Sequence, residues 1–218
     1  MVAAEMSESV EFHWIIDEPC NGRWSDIFLP HASVLDVNKP HGKYDFEGQG
    51  TVNAIIRRYF PEYIQADGLQ ELIIQHYCSF RIRSDLLQTV KEIIPKCAYH
   101  SIHVRRTDHV ELAMKAGKFT DLTEFDTFVN CSRNSNYPVY LATDAREVQD
   151  YYFDAVKYKM IPENNACLRP TSLRDAMVDI LACAFAEKFK GSGYSSYSKL
   201  IEIYRTIIRL GKLDFYQN

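Results

Sequence analysis

The residues best suited to chemistry lie in the second half of the sequence, and the first group contains two adjacent arginines. The string His103–Asp108 (HVRRTD) directly follows a run that is typical of a β-strand. In an open α/β sheet, ligands bind beyond the carboxyl ends of the strands. Two arginines placed there can fork onto phosphate oxygens, and Asp108 can hold one guanidinium in place. The alternative is a surface cluster of ion pairs.

A second strand-like run also ends in polar residues. The segment Tyr140–Asp144 (YLATD) has the same character as the strand before the arginines, with Thr143 and Asp144 at its end. If the two strands are parallel neighbours, these polar groups lie at one edge of the sheet. The alternative is that Thr143 or Asp144 caps the helix that follows.

The third group is a glycine- and serine-rich turn, Gly191–Ser198 (GSGYSSYS), which leads into the last helix. Glycines allow a ligand to approach the backbone closely, and a helix N-terminus with hydroxyls can bind an anion. The turn is not a P-loop, because no Lys-Ser/Thr pair follows the glycines. It is not a full GxGxxG string either, because Ser196 stands where the third glycine would be. The alternative is a flexible linker with serine caps.

The sequence contains no clear metal site and no serine-hydrolase motif. There is no DxD pair, and His100 and His103 are three residues apart on a predicted strand, so they should point to opposite faces. No GxSxG elbow occurs. The cysteines are too scattered for a zinc knuckle and are expected to be free thiols. They are Cys20, Cys78, Cys97, Cys131, Cys167 and Cys183.

Composition places the chain among globular proteins. Its 218 residues are 46% hydrophobic and 25% charged, enough apolar material for a core, so disorder as the main state is excluded. The net charge of −4 makes no electrostatic case for nucleic acid or an anionic membrane. No apolar run reaches the ~18 residues of a membrane span. The start, Met1–Ser9, lacks the features of a signal peptide, so a cytoplasmic protein is expected.

Hydrophobic periodicity predicts strands that alternate with helices in the second half, which indicates βαβ units and a parallel sheet. The predicted strands are Val10–Ile16, Ser33–Val37, Tyr99–Val104, Pro138–Thr143 and Val156–Ile161. The predicted helices are Val52–Phe60, Leu69–Tyr77, Ser84–Ile94, Leu122–Asn130, Ala145–Phe153, one around 173–184 and one around 200–208. A boundary near Pro95 divides a compact N-terminal half, 1–97, from a second half, 98–218.

Taken in order, four segments resemble the signature motifs of the α-1,6-fucosyltransferase family, and more loosely those of protein O-fucosyltransferases and rhizobial chitin-oligosaccharide fucosyltransferases. They are 103–108 (HVRRTD), 141–144 (LATD), 172–180 (SLRDAMVDI) and 191–198 (GSGYSSYS). The turn 20–23 (CNGR) resembles that family's first glycine loop less closely. The resemblance implies a GT-B-like α/β fold of two Rossmann-like halves. The N-terminal half would face the acceptor, and the C-terminal half would bind a GDP-sugar.

The resemblance also implies a function: inverting, metal-independent transfer of a sugar, above all fucose, from a GDP-sugar to a hydroxyl of a glycan or glycoconjugate, with no cofactor besides the donor. His103 would lie near the guanine or ribose, and Arg105 would bind the β-phosphate. Asp179 would accept from guanine N1–H and N2–H. The other donor-binding positions implied by the motifs are Gly22, Arg106 (on the donor or supporting it), Asp108, Asp144, Ser195 and Ser196.

The sequence departs from the family pattern where the catalytic base is expected. Ala113 stands at the position of a glutamate, so Glu111 becomes the nearest candidate base, with Asp17 and Glu18 as further candidates. The N-terminal half is also shorter than usual. Two other functions therefore remain open: a non-catalytic nucleotide- or sugar-binding protein on the same scaffold, and a glycosyltransferase that uses a UDP- or ADP-sugar. Release of GDP with acceptor present and nucleotide competition would separate the three.

Overall fold

A computed structural model describes residues 12–15, 22–32, 34–37, 74–75, 77–107, 110–163 and 171–215. The chain divides into two compact units, Met1–Ile82 and Arg83–Asn218. The second unit thus begins before helix α1 (Ser84–Ile93), which packs on a later helix of that unit, whereas the predicted boundary lay at residue 97. None of the helices in the described segments is long and apolar enough to cross a membrane.

The first unit contains a pair of short parallel strands and an aromatic cluster. Strand β1 (Phe12–Ile15) pairs with β2 (Val34–Val37), with Phe12 opposite Val34, which confirms both predicted strands. A 3-10 helix, Trp24–Asp26, contains Trp24, which packs against two phenylalanines. The centroid of its indole is 4.3 Å from that of the Phe28 ring and 4.9 Å from that of the Phe80 ring. The predicted helix Val52–Phe60 lies outside the described residues, as does most of Leu69–Tyr77.

The second unit is built on a three-stranded parallel sheet in the order β4-β3-β5. The strands are β3 (His100–Val104), β4 (Val139–Thr143) and β5 (Lys188–Gly191). The helices after α1 are α2 (Val110–Lys115), α3 (Leu122–Asn134), α4 (Arg146–Tyr151), α5 (Leu173–Ala184) and α6 (Ser196–Arg209). Strand β3 is central and buried along its whole length, as expected for a parallel strand covered on both faces.

The alternation of side chains along β3 assigns the two faces of the sheet to different helices. Ile102 and Val104 pack into an apolar cluster with residues of α3 such as Phe125. Ser101 and His103 point the other way, and the hydroxyl of Ser101 donates to the Cys183 carbonyl of α5 at 3.0 Å. Because side chains alternate between faces, residues three apart on this strand serve opposite cores.

Some features differ from the predicted elements, and one is helix α2, which was not predicted. Strand β5 was not predicted, and the predicted strand Val156–Ile161 contributes only a single parallel bridge, at Val156, to β4. Beyond that bridge, the buried side chain of Gln149 binds the chain instead. Its amide donates to the Lys159 carbonyl at 2.9 Å and its oxygen accepts from the Ile161 N–H at 2.7 Å. These bonds hold the segment against α4 and take the place of ladder bonds.

Candidate functional site

The carboxyl ends of the three parallel strands lie at one edge of the sheet, and the predicted polar segments follow them there. The arginine loop, residues 105–107, follows β3, and Asp144 follows β4. The glycine–serine loop, residues 191–195, begins at the last residue of β5 and ends at the N-cap of α6. The structure therefore brings together three of the four motifs at the edge where ligands bind in sheets of this kind.

Asp144 organises the arginine loop. Its Oδ1 accepts from the Arg106 N–H at 2.8 Å, and its Oδ2 accepts from the Thr107 N–H at 3.4 Å and the Thr107 hydroxyl at 2.6 Å. The Nε of Arg105 lies 3.8 Å from the same Oδ2. Asp144 does not cap α4, whose N-cap, Ala145, has no side-chain bond. The carboxylate thus shapes the loop and lies beside the Arg105 guanidinium.

Ser192 holds the other side of the arginine loop. Its hydroxyl accepts from the Arg105 N–H at 2.9 Å and donates to the His103 carbonyl at 3.1 Å. Its own N–H donates to that carbonyl at 3.0 Å. The loop that begins at Arg105 is therefore tied to both flanking strands, to β5 through Ser192 and to β4 through Asp144.

His103 lies just beneath this edge. It is 5% exposed, its Nδ1 is 2.8 Å from the Ser198 hydroxyl of α6, and its ring stacks on Tyr197 with 4.5 Å between centroids. Gly191 permits this contact between strand and helix, because a Cβ there would lie 2.7 Å from the Ser198 side chain. The need for glycine at 191 is thus a matter of close packing.

The two predicted phosphate-binding serines differ in their surroundings. Ser195 is the N-cap of α6, 1% exposed, and its hydroxyl accepts from the Ser198 N–H at 3.3 Å. Ser196, the first residue of the helix, is exposed. The Ser195 hydroxyl is therefore occupied as a helix cap, and the N-terminus of α6 itself supplies the partial positive charge at this edge.

The two arginines of the loop, Arg105 and Arg106, have side chains that lie in different surroundings. The Nη1 of Arg106 donates to the Thr120 carbonyl at 3.0 Å, and its guanidinium carbon lies 4.9 Å from the centroid of the Phe119 ring. Its Nη2 is buried and has no hydrogen-bond partner among the residues that the structure describes. Arg105, with its side chain 21% exposed, stays beside Asp144. Arg106 is thus directed into the protein, toward residues 119 and 120.

Asp179 lies on α5, on the same face of the sheet as His103. Its Oδ1 accepts from the buried hydroxyl of Tyr140 at 2.6 Å. Burial raises the pKa of the Asp179 carboxyl to about 7, against the lowering effect of the Tyr140 bond. The Asp179 carboxyl is therefore held in a fixed orientation and changes charge near neutrality.

The remaining predicted site residues belong to other elements of the described chain or lie outside the described residues. Glu111 is exposed in the first turn of α2, and Gly22 belongs to the first unit. Asp108, Asp17 and Glu18 lie outside the described residues. Within the described segments, no group of three or more His, Cys, Asp or Glu could hold a metal ion.

Sequence reasoning did not identify several residues that the structure places at the site. Ser192 and Ser198 lie inside the quoted glycine–serine segment, and the change from strand to helix within it could have indicated them. Tyr140 precedes the quoted LATD string by one residue. No sequence pattern indicated Thr120, because it lies in a loop between α2 and α3 that matches no motif.

The described residues form an α/β fold, and the likeness to two solved structures assigns that fold to the GT-B type, as the resemblance of the motifs implied. Two solved structures of NodZ α-1,6-fucosyltransferase superpose over most of the chain. The one co-crystallised with GDP has a TM-score of 0.53 at 13% identity, covering 94% of this chain and 83% of that one. The one soaked with GDP-fucose has a TM-score of 0.51 at 15% identity, covering 93% and 84%.

A structure of POFUT1 in complex with GDP is more distant. Its TM-score is 0.44 at 11% identity, and the match covers 74% of this chain and only 57% of that one. No protein-family model and no curated protein matches the chain by sequence. At these identities the likeness establishes the fold, and the activity must be argued from the site.

Proposed function

We propose that this chain is an inverting glycosyltransferase that moves a sugar, above all fucose, from a GDP-sugar to a hydroxyl of a glycan or glycoconjugate. The observation that carries the proposal is the placement of Arg105. It is held next to Asp144, and its loop is tied by Ser192 to the loop that ends at the N-terminus of α6. A guanidinium and a helix N-terminus at one sheet edge form a site suited to a diphosphate.

In the proposed reaction, an acceptor hydroxyl attacks C1 of the donor sugar and the nucleoside diphosphate departs. Negative charge develops on the departing phosphate, so donors already aimed at it stabilise the transition state more than the ground state. Arg105 supplies such donors, and the first N–H groups of α6 lie at the same edge of the sheet. A guanidinium here does the work that a divalent cation does in metal-dependent transferases, which supports a metal-independent reaction.

The guanine preference is assigned to Asp179. Its Oδ1 is bonded to Tyr140, and Oδ2 accepts no hydrogen bond from any residue that the structure describes. An oriented carboxylate can accept from the adjacent N1–H and N2–H of guanine, a pair that adenine and uracil lack. His103, stacked on Tyr197 and close to the arginine loop, is assigned to the nucleoside side of the same site.

Glu111 is the proposed base for the acceptor hydroxyl, since it is an exposed carboxylate five residues beyond the arginine pair. One observation favours the alternative of a non-catalytic binding protein. Ala113, which stands where a glutamate was expected, is 3% exposed and packs in the core. A protein that binds the donor without turning it over would retain the nucleotide site and lack the base.

The testing experiment is a thermal-shift series with GDP, GDP-fucose, UDP and ADP, without added metal. A ligand at a hundredfold excess over its Kd stabilises the native state by about 2.7 kcal/mol, which is several degrees for a chain of this size. We expect shifts with GDP and GDP-fucose only. Equal shifts with UDP or ADP would indicate another nucleotide sugar, and no shift with any nucleotide would reject the proposed site.

Catalysis is then tested by measuring GDP released from GDP-fucose in the presence of glycan acceptors. Acceptor-dependent release supports a transferase. Binding of GDP-fucose without release by any acceptor supports the binding-protein alternative. Glu111→Gln provides the check on the base, since it should reduce release while leaving the GDP-induced thermal shift unchanged.

A further inference from the structure

The segment Lys118–Phe119–Thr120, here the bridging segment, contacts both loops of the candidate site and belongs to none of the sequence motifs. It lies in the connection between α2 and α3. Thr120 is 8% exposed although it is in a loop. Polar loop residues are buried when their hydrogen-bonding groups have partners, and the carbonyl and the hydroxyl of Thr120 each have one.

The first set of contacts is with the arginine loop. The Thr120 carbonyl accepts from Nη1 of Arg106 at 3.0 Å, and the Phe119 ring lies under the same guanidinium. The ring of Phe125 on α3 is 6.0 Å from it as well. Arg106 is therefore held by one carbonyl and by aromatic faces, an arrangement suited to anchoring a guanidinium.

The second set is with the glycine–serine loop. The Thr120 hydroxyl accepts from the Gly193 N–H at 2.8 Å. A Cβ on Gly193 would lie only 2.1 Å from the Lys118 carbonyl oxygen, so the two backbones are in direct contact. The Lys118 ammonium also lies 6.0 Å from the centroid of the Tyr194 ring. All three residues of the bridging segment thus contact one loop or both.

We propose that Thr120 is a positioning residue, and that the bridging segment makes the arginine loop and the glycine–serine loop move as one unit. The same residue holds Arg106 through its carbonyl and Gly193 through its hydroxyl, so a displacement of either loop is passed to the other. Arg106 is then a second positioning residue, and of the two arginines only Arg105 contacts the phosphates. This assignment rests on the proposed function for its effect on the donor, and on the contacts of Thr120 for the coupling itself.

The coupling matters because two groups from different loops must meet one diphosphate. Arg105 belongs to one loop, and the N-terminus of α6 follows the other. If the loops moved independently, binding would have to bring the two groups together each time, and both affinity and transition-state stabilisation would be lost. With the loops coupled, the separation between the groups is set before the donor arrives.

The first test measures the coupling without any ligand. Thr120→Val removes the hydroxyl that accepts from Gly193 and keeps the shape of the side chain. The control is Thr127→Val, because in the described part of the chain the exposed Thr127 hydroxyl bonds only to the Thr123 carbonyl of its own helix. In amide hydrogen exchange of the full chain, Thr120→Val should accelerate exchange at residue 193 and also at 106 and 107, about tenfold or more.

Exchange that rises only at residue 193 would overturn the coupling, and so would rates equal to those of the control. Thr120→Ser should restore the wild-type rates, because it restores the acceptor. Gly193→Ala tests the same contact by steric means, since the added Cβ must displace the Lys118 carbonyl. Its effect at 106 and 107 should exceed that of Thr120→Val, with folding verified by far-UV circular dichroism.

The second test measures the consequence for the site. By titration calorimetry, Thr120→Val should weaken GDP binding about tenfold, and kcat for GDP release should fall by a similar factor. Unchanged binding in a variant with accelerated exchange at 106 and 107 would reject the positioning role. If the wild-type chain bound no GDP, the proposed function would fail, and the exchange experiment would still decide whether the loops are coupled.

Discussion

Strand β3 has a histidine near each end, and the two histidines have almost the same neighbours. At the amino end, Nδ1 of His100 is 2.8 Å from the Ser132 hydroxyl, and the ring stacks on Tyr137 at 4.3 Å. At the carboxyl end, Nδ1 of His103 is 2.8 Å from the Ser198 hydroxyl, and the ring stacks on Tyr197 at 4.5 Å. A trio of histidine, serine and tyrosine therefore occurs twice on one strand, on opposite faces of the sheet.

The amino-terminal trio is part of the core. The Ser132 hydroxyl donates to the Phe128 carbonyl at 2.8 Å, so it accepts from His100, which places the proton of the neutral ring on Nδ1. The Nε2 of His100 is buried and finds no hydrogen-bond partner within the described segments, and burial lowers the pKa of the ring. This histidine is a neutral packing residue.

The carboxyl-terminal trio lies beneath the candidate site. The His103 carbonyl accepts from the Ser192 N–H at 3.0 Å, and the arginine loop begins two residues later, at Arg105. Asp144 and the N-terminus of α6 lie at the same edge. The same three neighbours therefore do not decide which histidine lies at a ligand site. The direction of the strand decides it, because the carboxyl ends of parallel strands lead to helix N-termini, where anions bind.

The largest expected difference between the two ends of β3 is the effect on turnover of removing a nearby arginine. Arg105→Ala should lower turnover of a GDP-sugar by about two orders of magnitude or more, because a charged donor to the departing phosphate is lost. The control is Arg133→Ala, which removes a surface pair with Asp154 beside the amino-terminal trio and should leave turnover unchanged. Initial rates of GDP release measure turnover in both variants. Wild-type turnover in Arg105→Ala would contradict the proposed role of the carboxyl end of β3.

A smaller effect is expected from the histidines themselves. His103→Asn should weaken GDP binding about tenfold, the change that corresponds to about 1.4 kcal/mol. His100→Asn should leave GDP binding unchanged and lower the free energy of unfolding by about 1 kcal/mol, because it loses a buried stacked ring. Titration calorimetry and urea unfolding measure the two quantities. Equal losses of GDP affinity would show that both trios serve the site.

The smallest expected effect is a pH dependence of stability from the amino-terminal trio. Because the pKa of folded His100 is lowered from 6.5, the unfolded chain binds a proton more readily, and stability is lost as pH falls below about 6.5. His100→Asn should remove this part of the acid destabilisation. Urea unfolding at pH 5.5 and pH 8 measures it, and the Asp179 contribution, present in both proteins, cancels in the difference. Parallel pH profiles of the unfolding free energy in the wild type and in His100→Asn would contradict the predicted contribution of His100.

The sequence predicted the strands and the polar residues of the candidate site, but fewer of the contacts that join its loops. The alternation of apolar residues located β3 and β4, and the polar residues after them led to the arginine loop and Asp144. The expectation that His100 and His103 face opposite sides of the sheet is confirmed. Strand β5 escaped prediction because its residues, Lys188–Gly191, include two lysines and show no hydrophobic alternation. Its place in the sheet comes from pairing with β3, a contact more than 80 residues away in sequence.

By itself, then, the sequence determined the strand-and-helix alternation, the resemblance to fucosyltransferases and the residue types available for an anion. Local periodicity and side-chain chemistry are sufficient for these. Only the tertiary structure decided which arginine lies beside Asp144 and which packs on Phe119, and it alone showed that Thr120 joins two loops. Such choices depend on distances between residues that are far apart in the chain, and no local pattern encodes those distances.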